Sequence, residues 1–181
     1  MTILAELRTA GRQRFGELGV WVYDEWGRLN TAFFGGQNRP GAIYWTAAIR
    51  NESLGCYYFT QNVIYLNKDL VRPIYPVPMA KWCLQHLNQR LASDVLLHEM
   101  IHQKIHQTGG WEGATSHNNE RFVDEVNRLA KLLDLDVKAQ IISTRKSQNN
   151  SKQNNKPGYL TSGELVHFPY FTRPSDYYRQ F

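Results

Sequence analysis

His98–His106 reads HEMIHQKIH: three histidines at a spacing of four, with a glutamate after the first. On a helix, residues four apart share one face. HEMIH is the pattern HExxH, in which imidazoles at i and i+4 reach one zinc ion through bonds of about 2.0–2.1 Å. Glu99 would sit beside the metal without ligating it and take a proton from zinc-bound water. Catalytic zinc also needs a third protein ligand and an open position. Val95, Leu96, Leu97, Met100 and Ile101 surround the motif, which predicts a core-facing helix. Buried polar groups there need a partner, and a metal supplies one.

Spacing narrows the choice of third ligand. A helix rises about 1.5 Å per residue, so His98 and His106 lie about 12 Å apart along its axis. Donor atoms on one tetrahedral zinc are only about 3.3 Å apart, from bonds near 2 Å. A continuous helix therefore excludes His106, which reads instead as a histidine near a helix C-terminus. A metzincin places its third histidine ten residues after the first, and that position is Thr108. His117 is the next candidate, because it follows a glycine-containing loop and opens the next helical pattern. Glu120 is the acidic rival, three residues further on.

These groups need elements to position them. Thr2 to about Phe15 reads as a helix, with Ile3, Leu4 and Leu7 on one side. Val22, Trp26, Leu29 and Phe33 recur at helical spacing and predict a second. Gly35-Gly36 and the NRPG turn at 38–41 end it. AIYWTAA, GCYYFT and NVIYLN, beginning at Ala42, Gly55 and Asn62, read as strands, the last two joined by a tight antiparallel hairpin around Thr60–Asn62. The prolines of RPIYPVP, from Arg72, exclude a helix interior. A helical pattern runs from near Lys81, with Ser93-Asp94 as a break and fresh N-cap before the motif. Asn118–Asp134 is helical again, with Phe122, Val126, Leu129 and Leu133 as its buried stripe.

The 181 residues are 42% hydrophobic and 20% charged, consistent with one domain and a tail. No apolar run is long enough to span a membrane, and the N-terminus lacks a signal-peptide core. The expectation is a cytoplasmic, intracellular protein. Cys56 and Cys83 form no CxxC pair and read as buried thiols. Of 21 basic residues, Lys138, Arg145, Lys146, Lys152 and Lys156 lie in a stretch free of acids. Without those five, 16 basic residues face 16 acidic ones, so the net charge of +5 resides in that segment. Its Ser, Asn, Gln and Lys composition reads as a flexible linker. Such a segment can also hold phosphates, which makes DNA a candidate partner through residues 138–156.

Taken together, these residues resemble the SprT-like (Spartan-type) family of zinc metallopeptidases. That signature is HExxH, a loop, and a third histidine followed by a phenylalanine; here HEMIH is followed by HNNERF, His117–Phe122. VYDEWGRLNTAFF resembles the family's N-terminal core helix, IYW its first strand, and LGCYYFTQNVIYLNKDL its hairpin and the strand before the motif helix. The resemblance covers about residues 20–133. It departs at Asn118, where the family usually has Gly, and lacks the zinc ribbon that many members carry.

The resemblance implies an α+β fold: a small zincin-type metalloprotease domain with helices packed on a short antiparallel sheet. The active-site helix would lie beneath an edge strand able to take an extended peptide. The domain would span 1–142, followed by a basic linker at 143–158 and an aromatic tail at 159–181. It further implies Zn2+ held by His98, His102 and His117, Glu99 as catalytic base, and protein or peptide substrates, including DNA-associated proteins. The alternative is a non-catalytic zinc-containing module that binds nucleic acid or protein.

Overall fold

A computed structural model describes residues 2–47, 49, 53–71, 87–109, 117 and 119–132. The sequence-predicted linker and tail, RPIYPVP, Cys83 and the start of the long helical pattern lie outside them.

Thr2 caps α1 (Ile3–Phe15) by accepting the Ala5 N–H at 3.3 Å. Gly16 separates it from α2 (Glu17–Phe34), which buries Val22, Trp26 and Leu29. Gly35, at φ 61°, takes the left-handed conformation that ends a helix without steric cost. The Gly36 N–H then donates to the Asn30 carbonyl at 2.9 Å. The turn that follows is tied down by asparagines. Asn38 N–H donates to Asn30 Oδ1 at 3.1 Å, and Asn38 Nδ2 donates to the Met100 carbonyl at 3.2 Å.

Three strands follow: β1 (Ala42–Thr46), β2 (Gly55–Tyr58) and β3 (Val63–Asn67). The predicted hairpin joins β2 to β3 through a 3₁₀ turn at Phe59–Gln61, with Asn62 at φ 51°. The sheet is mixed, however, and this corrects the antiparallel expectation. Its order is β1-β3-β2, with β3 parallel to β1 in the register Tyr44↔Tyr65. After β1 the chain skips one strand position, and the hairpin returns β3 into the gap. The inner face buries Ile43, Trp45, Tyr57, Ile64 and Leu66 in the core shared with the helices. On the other face Tyr44 and Tyr65 stack with centroids 5.7 Å apart.

Helix α3 (Gln89–Gly109) carries the histidine motif, and α4 (Glu120–Leu132) packs against it. The predicted break at Ser93-Asp94 does not occur. Asn88 is the cap instead, its Oδ1 accepting the Leu91 N–H at 3.1 Å. Ser93 turns its hydroxyl back onto the Gln89 carbonyl at 2.8 Å, which a helix interior tolerates. Asn119 caps α4 in the same way, accepting the Arg121 N–H at 2.9 Å. Among the described residues the architecture is α+β, with four α-helices and one three-stranded sheet. No helix there is long and apolar enough to cross a membrane.

Candidate metal centre

Helical periodicity places His98 and His102 on one face of α3, and both are buried. His117 comes from the turn ahead of α4, two residues before the capping Asn119. The helix therefore starts later than the sequence pattern predicts, and His117 lies outside its first turn. Arg121, near the start of α4, rests its guanidinium against Gly109 at the end of α3. The chain thus returns to α3 close to where it left.

The three Nε2 atoms form a nearly equilateral triangle. His98–His117 is 3.0 Å, His102–His117 is 3.1 Å and His98–His102 is 3.2 Å. The ring centroids are farther apart, at 4.9–5.0 Å. The rings therefore converge through their nitrogens. Three imidazoles aimed at one point cannot satisfy one another by hydrogen bonding, because each Nε2 either donates or accepts along a single direction. A cation at their centre would resolve the conflict. Tetrahedral bonds near 2 Å would separate the donors by about 3.3 Å, close to what is seen. The three side chains can hold a metal ion. Burial also lowers the His117 pKa, which favours the neutral imidazole that ligation requires.

Phe122 holds the rings in place. Fully buried, it stacks on His102 at 4.6 Å and meets His117 and His98 edge-on at 5.0 and 5.3 Å. The sequence marks it as part of a buried helical stripe; its contact with all three imidazoles appears only in the folded chain. Glu120, the rival ligand, is exposed and belongs to no such cluster.

Glu99 lies 5% exposed beneath β2, an edge strand among the described residues. The Tyr57 backbone N–H donates to its carboxylate. A Cβ built on Gly55 would sit 2.7 Å from Glu99 Oε1, so only glycine allows β2 to lie this close. Burial pushes the Glu99 carboxyl up to about 8, and the Tyr57 N–H partly opposes that rise. Cys56, also in β2, is a half-buried free thiol whose pKa is raised by burial and by the Glu99 charge.

His106 points elsewhere, as the helical rise requires. Its Nδ1 lies 2.9 Å from Tyr57 Oη, and its ring meets those of Tyr57 and Phe59. Around it runs a partly buried polar network that the sequence gives no sign of. Asn62 Oδ1 accepts from Tyr57 Oη at 3.2 Å, Gln103 Nε2 at 2.8 Å and Gln107 Nε2 at 3.2 Å. Gln103, fully buried, accepts the Trp26 indole N–H at 3.1 Å.

No protein-family model matches this sequence, and neither the curated proteins nor the solved structures give a match.

Proposed function

We propose that this chain is a zinc-dependent metallopeptidase of the HExxH type, with His98, His102 and His117 as ligands and Glu99 as the base. The observation that carries the reading is the convergence of three Nε2 atoms within 3.2 Å of one another, with a buried carboxylate on the residue next to the first ligand. An all-imidazole donor set with three protein ligands suits a catalytic zinc site. Bound there, zinc supplies Lewis acidity and makes a water acidic near neutral pH. Glu99 accepts the proton of the attacking water and delivers it to the leaving amine nitrogen. Strand β2, at the edge of the sheet and beside Glu99, offers main-chain groups to an extended peptide.

The resemblance to SprT-like peptidases extends the proposal to substrates associated with DNA, with segment 138–156 contacting phosphates. Purified protein should contain one zinc per chain and cleave casein or itself. Glu99→Gln should keep the metal and lose hydrolysis. Cleavage by the variant would sink the mechanism. Zinc without any cleavage, with or without DNA, would favour the non-catalytic binding module. Titration with single- and double-stranded DNA at two salt concentrations tests the DNA contact, and no affinity at low salt would remove it.

A further inference from the structure

The third histidine of HEMIHQKIH is not among the converging ligands, yet it is far from idle. Glu99 and His106 are seven residues apart in α3. That is two helical turns, about 10 Å, and it returns to the same face. Tyr57 lies along that face and touches both positions. Its backbone N–H donates to the Glu99 carboxylate. Its phenol oxygen lies 2.9 Å from His106 Nδ1 and donates to Asn62 Oδ1 at 3.2 Å. A phenol both donates and accepts, so one hydroxyl serves two partners. Asn62 in turn is bound to α3 through Gln103 and Gln107, and its Nδ2 donates to the Pro40 carbonyl at 3.2 Å. Strand β2 is thus fastened to α3 at two points by a single residue.

We propose that Tyr57, clamped by His106 and Asn62, is a positioning residue that fixes the carboxylate of Glu99 toward the metal centre. The proposal rests on Glu99 being the base of a peptidase. The clamp sets how close β2 lies to α3, and therefore where the Tyr57 N–H meets the carboxylate. Gly55, two residues back in β2, completes the fit by leaving room for Glu99 Oε1. Small misplacement of a reacting group is expensive: about 1 Å can cost on the order of a hundredfold in rate. Tyr57, His106 and Asn62 are not members of the converging histidine cluster, so the clamp acts on the base and metal binding should hold.

Three variants of the zinc-loaded full chain test this. His106→Phe keeps the ring contacts with Tyr57 and Phe59 but deletes the nitrogen; His106→Asn retains a polar group near the Nδ1 position; Tyr57→Phe removes only the hydroxyl. The first readout is hydrogen exchange of the Tyr57 amide by NMR, which does not need catalysis. His106→Phe and Tyr57→Phe should speed that exchange about tenfold. They should lower kcat about 10- to 100-fold with KM and zinc content unchanged, and His106→Asn should restore much of both. Unchanged exchange and kcat would overturn the proposal, as would loss of zinc or a rise in KM with kcat intact. If the wild-type protein cleaves nothing, the peptidase reading fails. The exchange measurement then still decides whether His106 holds the Tyr57 amide on Glu99.

Discussion

Gly55→Ala places one methyl group against the closest contact in the centre. The new Cβ would sit 2.6 Å from Val95 Cγ1, 2.7 Å from Glu99 Oε1 and 3.0 Å from Glu99 Cγ. Carbon atoms in contact rest about 3.5–4.0 Å apart, so the overlap is about 1 Å. Val95 is buried in α3 and cannot retreat far. Either β2 moves off the helix and stretches the Tyr57–Glu99 hydrogen bond, or the carboxylate swings away. Overpacking of this size costs about 1–3 kcal/mol, a fall in melting temperature on the order of 2–12 °C for a chain of this length. Zinc content should hold, because the converging nitrogens lie outside the overlap. Peptide hydrolysis should fall about 10- to 100-fold. Calorimetry, metal analysis and a peptidase assay on one preparation separate these effects. A variant with wild-type melting temperature and rate would refute the close approach of β2 to Glu99.

Gly27→Ala is the matching control within α2. Its Cβ would meet only Leu4 Cδ2, at an ordinary 3.5 Å, so helix propensity should raise stability by about 0.5–1 kcal/mol in thermal unfolding. Asp94 should make stability pH-dependent. Burial pushes its carboxyl up to about 7, with the Arg90 charge opposing and Glu25 adding to the rise. The folded chain then holds a proton that the unfolded chain has already released, so stability falls as pH rises from about 4 to about 7. Asp94→Asn should therefore match wild type near pH 4 and exceed it by about 1–2 kcal/mol at pH 8, an amount kept modest because the side chain is only half-buried. Denaturant melts at the two pH values check this, and an equal gain at both would contradict it. Zinc at a hundredfold above its dissociation constant should add about 2.7 kcal/mol to stability. A chelator should remove that gain, and His117→Ala should abolish the chelator's effect by leaving two ligands.

Helix period and rise are local properties, and they made much of the centre legible. They place His98 and His102 on one face of α3 and exclude His106 from the same ion. Turn residues and β-branched runs likewise mark the β2–β3 hairpin. Ser93-Asp94 reads as a break with a fresh N-cap but lies inside α3, because a serine within a helix bonds back to its own carbonyls as readily as it caps one. Asn88, the cap that the fold uses, lies inside a longer apolar pattern and gives no separate signal. The parallel pairing of β1 with β3 was not legible at all. Each strand's composition shows that it is a strand, but neighbour and direction depend on contacts between residues far apart in the chain.

The sequence alone determined which residue types are available and which of them a helix can align. It left His117 and Glu120 as rivals, since a loop's path follows from what it packs against. The tertiary structure brought His117, and not Glu120, to His98 and His102, by docking α4 onto α3 with Phe122 against all three rings. It also buried Glu99 beneath β2 and gave His106 a partner in Tyr57. Those decisions rest on close packing between elements distant in sequence, where a methyl group at Gly55 or a hydroxyl on Tyr57 changes the fit. Local periodicity carries no record of such contacts.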